Sequence, residues 1–445
     1  MACAVMLRRF FFLASSIIAS FTIPFISIAV NIALPTIAKS FNLDMVFVNW
    51  FANIFLISMA STILLLGVIA DWLGKELLFV TGTIFFAAAT FSILYINDFK
   101  LLLVFRCMQG FGAAMISGTA IAIIADIFPR KTGFFIGINT TAVYAGITLG
   151  PALGGFLINY AGWLSLFTFT GTLTLISAII GLLSLDFNKR SEAKKPYLQT
   201  LFIFMLSTIA ISIGSAYVSQ MYGLAALSLG LVMFISALYV EYKNSLNLVK
   251  QIFEVNTFLA YIVALLNYVA TYALSILYSN FLQVEMKLTP NLVGIILLAQ
   301  PVPQVLLSPL AGYLSDKINP GLVVTVGMVL ITLGIGISLI FYKWLKLLII
   351  SLIVLGIGFA LFASPNTTQI MRKIPREAFA SALSFLGLMR FLGQSLSTSI
   401  LTAIMLALKN LTPVRITVTI YMIIAAIGTI VAAISIHHSK KLLIK

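Results

Sequence analysis

Acidic residues are scarce in this sequence. Twelve Asp and Glu stand among 445 residues, and none falls in the middle of an apolar run. Asp44, Asp71, Glu76, Asp98, Asp126, Asp186, Glu192, Glu241, Glu254, Glu285, Asp316 and Glu377 all map to connectors or to the ends of such runs. That removes the usual buried carboxylate through which a membrane protein takes up and releases protons. Cysteine is nearly absent: Cys3 lies near the N-terminus and Cys107 inside an apolar run, too far apart to pair, so neither a disulfide nor a thiolate metal site is expected. The two histidines, His437 and His438, are adjacent. With no His, Asp and Ser constellation inside the apolar runs and no Gly-rich loop ending in Lys-Ser/Thr, the sequence indicates neither a membrane-embedded enzyme nor a nucleotide-driven machine, and it calls for no cofactor or metal. Charged residues reach only 9% against 61% hydrophobic, which excludes a soluble fold.

What fills the chain is apolar sequence, cut by short polar connectors into about fourteen runs. Most are 20 residues or longer and show no alternation of period two, so they read as helices and not as barrel strands. Fourteen spans of about 20 residues use roughly 280 positions, leaving connectors and no soluble domain. The fold class is therefore all-α, a polytopic membrane protein. Among the expected spans are 198–219, 222–242, 256–283, 291–314, 344–366 and 378–408. An even number places both termini on one side. Arg8, Arg9, Arg130, Lys131, Lys189, Arg190, Arg372, Lys373, Lys440 and Lys441 then share that side, while Lys39, Lys100, Lys287, Lys343, Lys346, Lys409 and Arg415 fall on the other. The basic excess marks the first side as cytoplasmic, in a multi-pass protein of the plasma membrane. The net charge of +15 follows from this topology. It is dispersed over loops, which suits anionic lipid of the bilayer and not nucleic acid.

The chain repeats itself. Gly67 to Lys75 after the second run and Gly312 to Lys317 after the tenth each place a Gly four residues before an Asp, Asp71 and Asp316. Two related sets of six helices give this spacing if the runs at 198–219 and 222–242 are an inserted pair. The expected organisation is an N-terminal six-helix bundle over 1–190, an inserted pair with cytoplasmic linkers over 191–250, and a C-terminal six-helix bundle over 251–445. The polar stretches Asn188–Pro196 and Glu241–Glu254 mark the joints.

Four motifs in order carry a family resemblance. They are Asn31-Ile32-Ala33-Leu34-Pro35, the Gly67 to Lys75 turn, Arg106-Cys107-Met108-Gln109-Gly110-Phe111-Gly112-Ala113-Ala114, and Gly146-Ile147-Thr148-Leu149-Gly150-Pro151-Ala152-Leu153-Gly154-Gly155. In them the chain resembles the major facilitator superfamily, and within it the fourteen-helix drug:proton antiporter branch. The resemblance implies a secondary transporter that exports amphipathic small molecules by alternating access, with protons as coupling ion and one copy of the chain sufficient. An uptake permease or an uncoupled facilitator for a small metabolite on the same fold is the alternative. The branch often carries an acid a few positions before the Asn31 motif; here Ile26 and Ser27 stand there.

Residue by residue, the gate is expected from Gly67, Asp71, Gly74, Lys75, Arg130 and Asp316, with Asp71 offered to a helix N-terminus or to a basic partner such as Arg130. Gly146, Gly150 and Gly154 form one helical stripe for close packing beside Pro151 and Gly155, and the resemblance implies that this helix seals the cavity. Arg106 and Arg390 are costly inside spans and so are expected to face protein or water. With Asn31, Gln109, Asn139, Tyr144, Tyr268, Tyr272, Gln300, Gln304 and Gln394 they make the candidate lining of a polar, basic cavity, in which anionic or neutral cargo is easier to hold than a cation. Asp126 is the remaining coupling candidate, or equally a helix-end partner of Arg130.

Overall fold

The structure, a computed structural model, describes residues 2–185, 198–243, 255–407 and 413–443; the side chains of 2–5, 45–46, 241–243, 255–256, 290–291, 413 and 437–443 are not described. The linker at Asn188–Pro196, most of the stretch from Glu241 to Glu254, the Cys3 thiol and the two imidazoles lie outside the described set. Among the described residues the chain is helical with no strand, and 14 stretches are long and apolar enough to cross a membrane. Lipid offers backbone groups no hydrogen bonds, so each span must satisfy its own amides internally, which a helix does.

The first six spans are α1 (Ala2–Phe41), α2 (Met45–Leu73), α3 (Lys75–Ser92), α4 (Phe99–Ile127), α5 (Thr132–Ala161) and α6 (Ser165–Ser184). The inserted pair is α7 (Leu198–Ala216) and α8 (Met221–Lys243). Glycines draw these two together: a Cβ on Gly214 would sit 2.7 Å from Leu227 Cα, and one on Gly230 would sit 2.8 Å from the Ile211 amide nitrogen.

The next two spans are interrupted, although the sequence reads as continuous runs at 256–283 and 291–314. The ninth comprises α9 (Val255–Thr271), α10 (Leu274–Asn280) and a π-helical turn over Phe281–Glu285. At the joint the Ala273 amide donates to the Ser397 hydroxyl at 3.0 Å, and that side chain substitutes for the missing ladder bond. The tenth comprises α11 (Pro290–Leu297) and α12 (Pro301–Lys317). Its joint at Leu298–Gln300 precedes Pro301 and Pro303, which lack donors, and Gly356 leaves room for the Gln300 carbonyl. The chain ends with α13 (Pro320–Phe341), α14 (Leu345–Met371), a 3-10 turn over Arg376–Ala378 leading into α15 (Phe379–Ala407), and α16 (Pro413–Leu443).

Helix α14 runs five residues past the expected end at 366. Its last turns, Ser364 to Met371, are entirely buried. They tolerate burial because Thr367 and Thr368 donate back to the carbonyls of Ala363 and Ser364, at 3.0 and 3.1 Å, and Gln369 donates to the Ser435 hydroxyl at 2.8 Å.

The packing pattern repeats. In the first set α1 packs on α6, α2 on α4, and α3 on both α4 and α6. In the last set α9 packs on α16, α12 on α14, and α13 on both α14 and α16. These are the same pairings with the ninth to fourteenth spans standing for the first to sixth, so the fold is that of two six-helix sets with a pair inserted. Contacts divide the chain into two compact units. One holds Met1–Pro129, Ile138–Met205 and Pro375–Gly387; the other holds Arg130–Gly137, Leu206–Ile374 and Leu388–Lys445. Each unit therefore includes the first turns of a helix from the other half of the sequence. The first unit is centred on fully buried rings, Phe12, Phe25, Phe51, Phe55, Phe79, Phe86 and Phe167.

Candidate functional site

Asp71 ends α2 and is 2% exposed. Its carboxylate accepts from the amides of Ala380 and Ser381, at 3.0 and 2.6 Å, and from the Ser381 hydroxyl. These are the first amides of α15, which no helical carbonyl can satisfy, so the carboxylate caps the positive end of that helix. All of these groups belong to the first compact unit. Of the two partners open to Asp71 in the sequence, the helix N-terminus is the one present; Arg130 is exposed to solvent. Gly67, one turn before Asp71, lies against Ser384, and a Cβ there would come within 2.7 Å of the Ala380 carbonyl oxygen. Gly74 serves differently. Its φ of 113° turns the chain from α2 into α3, and no atom lies within 4 Å of where its Cβ would be, so conformation and not space requires glycine.

The second unit contains the same device. Asp316, at the end of α12, accepts from the amides of Gly133 and Phe134 at 2.8 and 2.9 Å. These are the second and third residues of α5, as Ala380 and Ser381 are of α15. Gly312, one turn before, meets the Gly133 backbone. Arg372 donates to the Ser315 carbonyl at 2.6 Å and so tethers the end of α14 beside the cap. Asp316 is only half-buried, so its cap is more screened by water than that of Asp71.

Beside Asp71, Lys75 forms an ion pair with Asp126 at 2.8 Å, donates to the Arg376 carbonyl, and stands 5.1 Å from the Phe379 ring centroid. Asp126 is therefore the partner of Lys75 and not of Arg130. Its other oxygen, Oδ1, is buried without a hydrogen bond.

Arg106 is fully enclosed, which corrects the expectation that it faces a cavity. Its Nε donates to the Phe51 carbonyl at 3.0 Å, an Nη donates to Gln109, and the rings of Phe51, Phe55 and Phe167 lie 5.1, 4.5 and 5.9 Å from Cζ. Gln109 in turn donates to Thr90 at 2.7 Å. The cluster ties α4 to α2, α3 and α6, and cation–π attraction takes the place of a counter-ion. Replacing Arg106 with Ala leaves a void between three rings and Gln109 without its donor. Protein recovered from the membrane is expected to fall several-fold, while the charge preference of whatever cargo the remainder carries stays as in wild type, as compared by counterflow.

Other lining candidates are also occupied. Asn139 accepts from Ser16 and Ser20 at 2.8 and 3.0 Å and is 1% exposed, so it joins α5 to α1. Tyr144 and Gln304 are buried, at 7% and 5% exposure. Asn31 and Tyr272 are exposed, whereas Gln300, Tyr268, Arg390 and Gln394 are half-buried. In the second unit Arg390 and Tyr268 are electrostatic neighbours. The glycine stripe of α5 packs against α1. A Cβ on Gly146 would lie 3.0 Å from Pro24 Cγ, one on Gly150 would lie 3.1 Å from Ile28, and one on Gly154 would lie 2.7 Å from Ala29. Gly155 has open space around it, and α5 runs unbroken through Pro151.

Sequence reasoning missed the partners: Ala380 and Ser381, Gly133 and Phe134, and the aromatic cage of Arg106. The available signal was the repeat itself, since an Asp ending one helix in each half implies a helix start to receive it. Nothing local pointed to the joint at Tyr272–Ala273, which has neither Gly nor Pro.

A sequence model of the Major Facilitator Superfamily matches residues 16–241 and 260–442. The chain belongs to the Major Facilitator Superfamily. It is a multi-pass membrane protein and a secondary transporter, and members of this superfamily are not enzymes. Among relatives, the chain is 27% identical over 376 residues to the riboflavin transporter RibZ of Clostridioides difficile, covering 83% of this chain and 82% of that one. It is 26% identical over 395 residues to the multidrug resistance protein Stp of Mycobacterium tuberculosis, covering 86% and 73%. Superfamily folds superpose along nearly the whole chain. The human organic anion transporter MFSD10 matches with a TM-score of 0.66 at 13% identity, over 96% of this chain and 99% of that one. The proton:xylose symporter XylE matches with a TM-score of 0.65 at 12% identity, over 95% and 94%. At these identities the structures share the fold.

Proposed function

We propose that this superfamily member exports amphipathic small molecules by alternating access, as a monomer in the plasma membrane with both termini in the cytoplasm. The observation that carries the reading is the pair of Asp caps. Each is made of a few charged hydrogen bonds between one helix end and the start of another, a contact strong enough to favour one conformation and small enough to break within a transport cycle. The multidrug resistance relatives and the glycine stripe of α5 support export. A second reading, an uncoupled facilitator or uptake permease, is favoured by the absence of any carboxylate mid-span and by the relative named as a riboflavin transporter. Proton coupling in this chain would use Asp126, and Lys75 would then have to release it. Asn31, Tyr268, Tyr272, Gln300, Arg390 and Gln394 are the residues left to contact cargo.

The test is substrate counterflow in proteoliposomes, with and without an imposed pH gradient, for wild type and Asp126→Asn. Gradient-driven accumulation that disappears in Asp126→Asn is the expected result. Counterflow insensitive to the gradient in both proteins would replace export coupling with facilitated diffusion, and no counterflow of any amphiphile would remove the carrier reading.

A further inference from the structure

We infer that Arg390, Tyr268 and Tyr272 form a recognition subsite for the acidic group of an aromatic, singly charged amphiphile. The inference rests on the carrier reading above and names its cargo class.

Four observations within the second compact unit point to it. Arg390 stands inside the thirteenth span, half-buried, and the ion pair found among the described residues is Lys75 with Asp126, so no described carboxylate neutralises this guanidinium. The Arg390 guanidinium and the Tyr268 phenol are electrostatic neighbours. Tyr268 is held by Phe359 and Phe362 of α14, ring centroids 5.5 and 6.4 Å away and both edge-on. Gly393, less than one turn from Arg390, lets the α9 backbone approach: a Cβ there would meet Tyr268 Cβ and the Leu265 carbonyl oxygen at 2.8 Å. One turn on from Tyr268 stands Tyr272, 40% exposed at the joint that follows α9, and one turn on from Arg390 stands Gln394.

The chemistry follows from the groups. A guanidinium is a planar fork that takes the two oxygens of a carboxylate, sulfonate or phosphate monoester. The Tyr268 hydroxyl carries a proton that it can donate to the same anionic group. The rings of Tyr272 and Phe391, the latter 5.2 Å from Arg390 Cζ, offer faces and edges to an aromatic body. Among the described residues named for this subsite the cation is Arg390, which matches a single negative charge. Arg106, deep within the fourth span, is fully enclosed by its own aromatic cage and is not open to cargo. A permanently cationic drug would meet the uncompensated charge of Arg390 where screening is weak.

The experiment compares two probes that differ only in charge, a coumarin carboxylate and its primary amide, binding to purified full-length protein by fluorescence polarisation. Wild type is expected to favour the carboxylate by about tenfold or more, Arg390→Gln to bring the ratio close to one, and Arg390→Lys to restore part of it. Should Arg390→Gln not fold, Tyr268→Phe is expected to lower the ratio about threefold. A wild-type ratio at or below one, or a ratio kept by Arg390→Gln, overturns the subsite while counterflow of the amide leaves the carrier reading in place. Absence of counterflow for both probes in wild type overturns the subsite's cargo class, and the carrier reading falls with it only where no amphiphile at all is exchanged.

Discussion

Asp71→Asn is expected to lower transport by about tenfold or more while leaving the amount of protein in the membrane within about twofold. The carboxylate has two oxygens, and both accept: one from the Ala380 amide, the other from the Ser381 amide and hydroxyl. An asparagine keeps one acceptor and turns a donor toward an amide that also donates. The substitution therefore removes a charge-assisted bond, worth about 1.5–3 kcal/mol, and sets two donors against each other at the positive end of α15. That shifts a conformational equilibrium by one to two powers of ten without touching the apolar packing that holds each helix in the bilayer. The measurement is counterflow rate normalised to purified protein. Asp316→Asn is expected to fall in the same direction by a smaller factor, because its cap is partly open to water. An Asp71→Asn protein with the wild-type rate would remove the cap from the transport cycle.

Bulk at the glycine one turn before each Asp is the second large effect, and the two positions are expected to differ in rescue. At Gly67 the obstacle is mainly the Ser384 side chain, with the Ala380 carbonyl oxygen at 2.7 Å from a new Cβ. Gly67→Ala should abolish most transport, and Ser384→Gly added to it should recover a measurable part, since the nearest atoms are then gone. At Gly312 the obstacle is the Gly133 backbone, whose carbonyl carbon would lie 2.8 Å from a new Cβ. Backbone cannot be trimmed, so no side-chain substitution should rescue Gly312→Ala. Overpacking of this kind costs about 1–3 kcal/mol at either site. Thermal unfolding of the purified variants, read beside their counterflow rates, separates a shifted conformation from a destabilised protein. Equal rescue at both positions would show that the glycines are not acting through these contacts.

Much of this protein was legible before any coordinates. Fourteen apolar runs with charges confined to the connectors leave helices as the only way to satisfy a backbone in lipid, so span number and fold class follow from composition and spacing. The Gly-to-Asp spacing at Gly67 and Gly312 was visible, as was the glycine stripe of α5, because each is local. What was hidden is relational. Arg106 and Arg390 look alike in sequence, each an arginine within an apolar run with a glutamine three or four residues on. One is enclosed by Phe51, Phe55 and Phe167, contributed by two other helices, and the other is half-buried beside Tyr268 of α9. The joints in the ninth and tenth spans were hidden for the same reason, since the groups that make them tolerable, the Ser397 hydroxyl and the space above Gly356, come from distant segments.

The sequence by itself determined that this chain crosses the membrane as fourteen helices, two repeated sets of six with a pair inserted between them, because hydropathy and spacing act along the chain and lipid admits no other backbone solution. Only the tertiary structure decided which buried polar groups find their partners on other helices. That depends on partners brought from other helices, and the energy of a buried charge or donor is set by those partners and not by its own neighbours in sequence.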